Sequence, residues 1–179
     1  MKYDVILADP PWHFCVYNEE KSDRHASHKY DLMKVDQICA LPVKDLAAEN
    51  CVLFMWATWT NLFQAFQVME AWGFTYRTLA WDWVKAKKNG FGFHFGMGYY
   101  TRSNTEPCLL AVKGTMKVSV HDISALIYAP VRQHSRKPDE QYVKIDKLYP
   151  GTTRLELFAR RRTPGWDVFG NQVEGSIKL

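Results

Sequence analysis

Residues 3–12 of the sequence read YDVILADPPW, a short apolar run that ends at an acid, two prolines and a tryptophan. From Tyr3 to Ala8 the run shows no regular polar–apolar alternation, which is typical of a parallel strand buried on both faces. Pro10 and Pro11 then stop the strand, because proline lacks a backbone N–H and fixes φ. The stretch therefore predicts a buried strand that places Asp9 at its carboxyl end.

Strand-like and helix-like segments alternate along the rest of the chain. Four further strands are predicted, at Cys51–Trp56, Phe74–Lys85, Glu106–Val112 and Thr153–Phe158. Helices are predicted from Asp36 to Ala40, over Val43 to Ala48, from Thr60 or Asn61 to about Trp72, and from Pro138 to about Tyr149. This alternation favours an α/β fold with a mostly parallel sheet and helices on both faces. Ligands of such sheets bind beyond the carboxyl ends of the strands, where Asp9 and Phe158–Arg160 are expected.

The composition limits the classes of protein that fit the chain. Its 179 residues are 47% apolar, which indicates a globular protein with a real core. The net charge of +4 permits a polyanionic partner. The four cysteines form no CxxC pair and have no histidine at ligand spacing, so we expect no metal site and a reducing, cytoplasmic location. The N-terminal apolar run is too short for a signal peptide or a membrane span.

The motif DPPW at Asp9–Trp12 has chemistry suited to methylating an amino group on an aromatic ring. Such an amine is a poor nucleophile, because its lone pair is shared with the ring. A carboxylate and a backbone carbonyl held side by side can accept both of its N–H groups and favour a tetrahedral nitrogen. Asp9 would supply the carboxylate, Pro10 the carbonyl, Pro11 rigidity, and Trp12 a face on which the base stacks. Alternatively DPPW is only a tight strand exit, but its place after a buried strand favours the functional interpretation.

Further motifs cover almost the whole chain. They include YDLM from Tyr30, LFMW from Leu53, GMGYYTRSNTE from Gly96, HSRKPDE from His134, LELFAR from Leu155 and GWDVFGNQ from Gly165. Together with ADPPW, they resemble the MT-A70 family of N6-adenine methyltransferases, in the form found in bacteria and their phages. As in that family, Phe158-Ala159-Arg160 takes the place of a glycine-rich FxGxG motif.

The resemblance implies a Rossmann-like, class I methyltransferase fold, with residues 1–179 as a single domain. The motif order is permuted, because the catalytic DPPW precedes the cofactor strand Leu155–Phe158. The implied cofactor is S-adenosyl-L-methionine, bound by Asp9, Lys137, Phe158, Arg160, Asn171 and Gln172. The resemblance also implies that the target base lies against Trp12, Tyr30, Lys85 and Glu106.

By the same resemblance, Asp9 contacts both the amino-acid end of the cofactor and the target amine. Lys137 pairs with the cofactor carboxylate, and the ribose is held by Arg160, Asn171 and Gln172. Taken from the residues alone, Lys137 also fits an ordinary solvated lysine, and Lys85 and Glu106 fit charges at strand ends. Asn171 and Gln172 also fit a simple turn after Gly170.

The function predicted on this basis is methylation of adenine N6 in nucleic acid, with DNA favoured over RNA by the bacterial and phage resemblance. The alternatives are a noncatalytic nucleic-acid-binding partner subunit, an RNA adenosine N6-methyltransferase and an N4-cytosine methyltransferase. Contacts to nucleic acid are expected from the loops Phe14–Lys29 and Lys87–Tyr100, with basic residues on the phosphates. Members of the family pair, so a homodimer is also expected.

Overall fold

A computed structural model describes residues 1–12, 32–133, 136–177 and 179. Within these ranges the chain forms seven strands: β1 (Tyr3–Ala8), β2 (Ala47–Trp56), β3 (Thr75–Ala86), β4 (Thr105–Lys113), β5 (Leu126–Pro130), β6 (Arg154–Leu157) and β7 (Asp167–Phe169). The α-helices there are α1 (Val35–Cys39), α2 (Val43–Leu46), α3 (Leu62–Ala71) and α4 (Glu140–Leu148). A 3-10 helix, Trp59–Asn61, leads into α3. No helix in the described part is both long and apolar enough to cross a membrane.

All seven strands form one sheet in the order β5-β3-β4-β2-β1-β6-β7. β1 runs parallel to its neighbours β2 and β6, and the pairs β3–β5 and β6–β7 are also parallel. β4 is antiparallel to both β2 and β3. The predicted α/β fold with a mostly parallel sheet is confirmed. β5 and β7 were not predicted from the sequence, because they are only five and three residues long.

The reversed direction of β4 decides which residues meet at one edge of the sheet. In the register of the sheet, Ala8 pairs with Met55 and with Leu157, so β1, β2 and β6 end side by side. Because β4 is antiparallel, its first residues lie level with the last residues of β3, and Glu106 pairs with Trp83. The residues that follow β1 and β6, those that end β3 and those that begin β4 therefore share this edge.

Both faces of the sheet are buried, which explains the apolar run Val5–Ala8 of β1. On one face, Ile6 and Ala8 pack in a cluster with residues of α1, α2 and α3. On the other face, Val5 and Leu7 pack in a cluster that includes Ile145 of α4. The helices therefore cover both faces, as predicted. Alternate residues of β1 point into each cluster, because successive side chains of a strand face opposite sides.

Several predicted boundaries differ from the structure by one or two residues. The strand predicted to end at Phe158 ends at Leu157. The helix predicted to begin with Pro138 begins at Glu140, and the Pro138 carbonyl instead accepts the N–H of Gln141 at 3.4 Å. Asp36, predicted as a helix cap, lies inside the first turn of α1. Helix ends depend on a few local hydrogen bonds, which a periodic pattern does not locate to the residue.

Candidate active site

The DPPW motif leaves the sheet directly after β1. The N–H of Asp9 points to the carbonyl of Leu157 at 3.5 Å, so the motif starts beside the end of β6. The carbonyl of Pro10 accepts the N–H of Trp12 at 2.9 Å, which closes a tight turn. The carbonyl of Pro11 accepts the N–H of Met33 at 3.0 Å. The turn is thus fixed by the prolines and by hydrogen bonds on both sides.

Trp12 is part of the core in this structure. Its ring is 4% exposed and packs in the same cluster as α1 and α3. The indole N–H donates a hydrogen bond to the carbonyl of Trp56 at 3.1 Å. The ring therefore presents no open face to a base here, and the stacking role suggested by the sequence would require Trp12 to leave this position. Its observed role is to anchor the DPPW turn to the end of β2.

Four charged side chains of alternating sign form a chain of ion pairs at the edge of the sheet. The ammonium of Lys137 lies 2.8 Å from both carboxylate oxygens of Asp9 and 3.0 Å from Glu106. The second oxygen of Glu106 lies 2.7 Å from the ammonium of Lys85. The four residues come from the end of β1, the segment before α4, the start of β4 and the end of β3. Lys85 and Glu106, expected near the target base, are thus connected to the Asp9 carboxylate through Lys137.

Because the central charges of this chain of ion pairs are buried, solvent screens their attraction only weakly. The side chains of Lys137 and Glu106 are 9% and 11% exposed. Burial favours the neutral form of Lys137, but the carboxylates of Asp9 and Glu106 outweigh it and raise the pKa of the ammonium. Burial likewise opposes ionisation of Glu106, but Lys137 and Lys85 outweigh it and hold the pKa of that carboxyl below its usual value. Both groups therefore stay charged across the physiological pH range.

Lys137 packs against the ring of a buried tryptophan, Trp56. Its ammonium lies 5.6 Å from the ring centre of Trp56, within the range of a cation–π contact. The indole N–H of Trp56 donates to the side-chain oxygen of Gln141 at 2.7 Å, and both side chains are buried. Gln141 lies in the first turn of α4. The start of α4 and the end of β2 together fix the position of Lys137.

Two neighbouring cavities open at this edge and share the wall formed by Asp9, Phe158, Arg160 and Gln172. The larger has a volume of about 610 Å³, and Lys137 also lines it. The smaller has a volume of about 210 Å³, and Asn171 also lines it. The structure therefore brings together all six residues that sequence analysis assigned to the cofactor. Tyr30, assigned to the target base, lies outside the described residues, as does the loop Phe14–Lys29.

Phe158 adopts an unusual backbone conformation between the two cavities. Its φ is +61°, in the left-handed region that residues other than glycine rarely occupy. Such strain costs about 1–3 kcal/mol and persists where the surrounding structure enforces it, which is common at functional sites. Nearby, Gly170 passes so close to Ala159 that a Cβ atom there would lie 2.0 Å from its carbonyl oxygen. This close approach holds Asn171 and Gln172 against the cavities.

Glu156 and Tyr142, which were not predicted from the sequence as site residues, also line the larger cavity. The hydroxyl of Tyr142 lies 3.1 Å from both carboxylate oxygens of Glu156. Burial raises the pKa of Glu156 to about 7, and the negative charge of Asp9 adds to this effect, while Tyr142, Arg161 and Thr163 oppose it. The available signal was the charged residue within the otherwise apolar strand Leu155–Leu157.

Glu156→Gln is expected to change how stability depends on pH. The folded-state pKa of about 7 lies above the usual 4.5, so the folded protein binds an extra proton between these values. Ionisation of Glu156 therefore removes stability from the wild type as pH rises from about 4.5 to 7, whereas the neutral amide is unaffected. Urea unfolding should show the variant gaining stability relative to the wild type across this window. Parallel curves for the two proteins would show that Glu156 ionises normally.

The described residues do not contain three or more histidine, cysteine, aspartate or glutamate side chains that converge as ligands for a metal ion. What converges at the edge of the sheet is a different donor set. It combines carboxylates and cationic groups with amide side chains and a phenyl ring. Such a set suits an organic ligand that carries both charges, together with hydroxyls and an aromatic base.

The chain matches the family model described as MT-A70 over residues 3–172. It is 32% identical to the Type II methyltransferase M.MunI from a Mycoplasma species, over 96% of this chain and 78% of that protein. It is also 32% identical to the human N(6)-adenosine-methyltransferase catalytic subunit METTL3, over 97% of this chain and 29% of METTL3. An Arabidopsis thaliana N(6)-adenosine-methyltransferase MT-A70-like protein is 32% identical over 97% of this chain and 24% of its own length. The chain belongs to the MT-A70 family of S-adenosylmethionine-dependent N6-adenine methyltransferases.

Proposed function

We propose that this chain methylates N6 of adenine in DNA, with Asp9 as the catalytic residue. The observation that carries the proposal is the position of the Asp9 carboxylate, which Lys137 holds by both oxygens at the wall shared by the two cavities. A carboxylate in this place can face a bound cofactor on one side and an incoming base on the other. The mouth of the cavities lies at the carboxyl ends of β1 and β6, where ligands of open α/β sheets bind.

The residues of the larger cavity fit S-adenosylmethionine. Its volume of about 610 Å³ exceeds what a nucleoside-sized molecule fills and lies within the usual range of ligand sites. Lys137 would hold the cofactor carboxylate, and Asp9 would hold the ammonium. The paired amides of Asn171 and Gln172 would hold the ribose hydroxyls, with Arg160 beside them. When bound, S-adenosylmethionine supplies an electrophilic methyl group.

The chemistry of this chain then rests on hydrogen-bond acceptors aimed at the adenine amine. Asp9 accepts one N–H of N6 and stabilises the positive charge that develops as the nitrogen forms its new bond. The Pro10 carbonyl, whose first lone pair accepts the Trp12 N–H, has a second lone pair for the other N–H. Asp9 finally takes the proton that N6 must lose, so that the product amine is neutral. Lys137 acts as a positioning residue, because its ammonium contacts both carboxylate oxygens of Asp9 and orients them.

We favour DNA over RNA for two reasons. The motifs most resemble the bacterial and phage form of the family. The Type II methyltransferase from Mycoplasma also aligns over 78% of its length, against 29% of METTL3, so the chain accounts for most of that relative and only a part of METTL3.

The direct test is to incubate the purified protein with S-adenosylmethionine and, separately, unmethylated duplex DNA, single-stranded DNA and RNA. Each sample is digested to nucleosides, and the products are identified by mass spectrometry. We expect N6-methyladenine in a DNA sample and none with Asp9→Ala. N6-methyladenosine from RNA alone would contradict the DNA proposal, and N4-methylcytosine would contradict the choice of base. A protein that binds nucleic acid but not the cofactor would be a noncatalytic subunit.

A further inference from the structure

A loop rich in exposed aromatic residues extends from the same edge of the sheet as Asp9. This aromatic loop, residues 87–104, joins the end of β3 to the start of β4. Large apolar side chains recur along it, each more than half exposed: Phe91, Phe93, Phe95, Met97, Tyr99 and Tyr100. Tyr99 and Tyr100 at its tip are 90% and 94% exposed. These side chains are not buried in the protein core, so they are available to contact a partner.

The aromatic loop has a defined backbone. His94 donates its N–H to the carbonyl of Lys85 at 2.7 Å, and Gly96 donates to Ser103 at 2.9 Å. The tip turns back sharply at Gly98, where a Cβ atom would lie 1.9 Å from the carbonyl oxygen of Thr101. Because these hydrogen bonds already order the backbone of the loop, a partner that binds its rings would cost little further conformational entropy.

A cluster of arginines flanks the base of the aromatic loop. This guanidinium cluster consists of Arg132, Arg136 and Arg161, which all contact the carboxylate of Asp139. The N–H of Val131 donates to the carbonyl of Ala86 at 3.0 Å, which places Arg132 beside the start of the loop. All three arginines line the larger cavity, together with Lys88 of the loop. Three guanidinium groups around one carboxylate leave an excess of positive charge at the mouth of the site.

We propose that the aromatic loop and the guanidinium cluster form one surface that binds an unpaired nucleic-acid strand. The bases stack on the exposed rings, and the phosphates lie on the guanidinium groups. This inference rests on the proposed function and names its substrate class as an unpaired or locally opened strand. Rings that alternate with glycine along a loop suit successive bases, because every base offers a flat face to stack on, and a basic groove beside them follows the backbone.

The charge of the surface favours nucleic acid over a second copy of this chain. Two copies that met through these rings would bring their guanidinium clusters and Lys87, Lys88 and Arg102 close together, which is unfavourable for like charges. A polyanionic strand neutralises the same charges and releases counterions. Adenine must also leave a base stack to reach Asp9, and exposed rings beside the site can take the place of the lost stacking partner.

The test measures binding without a methyl donor, so that it is independent of catalysis. Wild-type protein is titrated into a fluorescein-labelled, adenine-rich twelve-nucleotide DNA strand, free or annealed to its complement, and anisotropy is recorded. We expect the free strand to bind at least about tenfold more tightly than the duplex. Tyr99→Ala with Tyr100→Ala should weaken strand binding at least about tenfold, and Tyr99→Phe with Tyr100→Phe should restore it. Tyr76→Ala is the control, because Tyr76 is an exposed tyrosine that lies near the opposite end of β3, away from the loop.

The role of the guanidinium cluster is tested by the dependence of binding on salt. Arg136→Gln leaves Arg132 and Arg161 on Asp139 and should lower the slope of log affinity against log salt by about 0.7 for each lost phosphate contact. Lys117→Gln, an exposed lysine beyond the far end of β4, should leave the slope unchanged.

Two results would overturn the inference. One is equal affinity for free strand and duplex. The other is unchanged strand affinity in the double alanine variant, with altered self-association in sedimentation, which would make the loop a surface between two copies. Both results concern binding alone. A protein that binds the strand as expected yet yields no methylated adenine would contradict the proposed function and leave this surface in place.

Discussion

Asp9→Asn is expected to lower kcat for adenine methylation by at least about a thousandfold. The amide is a weaker hydrogen-bond acceptor than the carboxylate and carries no charge to stabilise the developing positive charge on N6. It also cannot take the N6 proton. The apparent affinity for S-adenosylmethionine should change far less than kcat, because asparagine keeps an oxygen that can accept a hydrogen bond. Single-turnover reactions, read by mass spectrometry of the nucleosides, separate the two effects.

The control for Asp9→Asn is Asp146→Asn. Asp146 also forms an ion pair, with Arg154 at 2.7 Å, but its side chain is 65% exposed and does not line either cavity. Asp146→Asn should methylate at the wild-type rate. Asp9→Asn should stay folded, because Lys137 keeps its contact with Glu106. If Asp9→Asn retained more than about a tenth of the wild-type kcat, the carboxylate would not be the main acceptor.

The central strands of the sheet were predictable because the sequence patterns that indicate them are local. The uninterrupted apolar runs Val5–Ala8 in β1 and Cys51–Trp56 in β2 indicate strands buried on both faces, and helices have to cover both faces. The two prolines after Asp9 mark the end of β1 without ambiguity. Once β1 and β6 are parallel neighbours, Asp9 and Phe158 must end side by side. β7 is parallel to β6, so Asn171 and Gln172, which follow β7, reach the same edge. The family resemblance, and not the topology, assigned these residues and Lys137 to the cofactor.

The chain of ion pairs was not predictable from local pattern. Asp9 and Lys137 are 128 residues apart, and Glu106 joins them only because β4 runs antiparallel to its neighbours. An apolar run such as Glu106–Val112 reads the same in either direction, so periodicity cannot reveal this reversal. Taken alone, Lys137 and Glu106 resembled solvated charges. Their partners became visible only when the strand order and register were known.

For Trp12 the sequence suggested a face for base stacking, whereas the structure buries the ring. An aromatic residue beside a catalytic turn suggests a stacking face, but a tryptophan gains free energy from burying its large ring. The indole N–H also finds an acceptor in the Trp56 carbonyl, so burial leaves no polar atom without a partner. The side chain therefore packs inward and fixes the turn. Base stacking is better supplied by rings that the core does not use, as in the aromatic loop.

Lys137→Met is expected to destabilise the protein by about 3–5 kcal/mol at neutral pH. Methionine fills a similar volume but leaves Asp9 without its cation and Glu106 with Lys85 alone. The carboxylates of Asp9 and Glu106 then lie near each other in a site that is largely shielded from solvent. The pKa of Glu106 should rise, because the charge that lowers it most is removed. The loss of stability should therefore shrink as pH falls and the carboxyls become protonated. Urea unfolding across pH measures both effects.

The control for this loss is Lys113→Met. Lys113 is less deeply buried, and within the described residues its hydrogen bonds go to backbone carbonyls at the opposite edge of the sheet, at 3.2 and 3.3 Å, so its loss leaves no carboxylate unpaired there. A loss of stability in Lys113→Met as large as in Lys137→Met would mean that packing, rather than charge, accounts for the effect.

The double variant Lys137→Met with Glu106→Gln separates the two roles of Lys137. Glutamine removes the repulsion between Glu106 and Asp9, but it also leaves Lys85 without its carboxylate, so only part of the lost stability should return. Methylation should not return, because Asp9 still lacks the cation that orients it and the cofactor carboxylate lacks its partner. Recovery of activity together with stability would mean that Lys137 only neutralises Glu106. Recovery of stability alone would show that Lys137 has two separable roles, one in holding the edge of the sheet together and one in positioning the catalytic carboxylate.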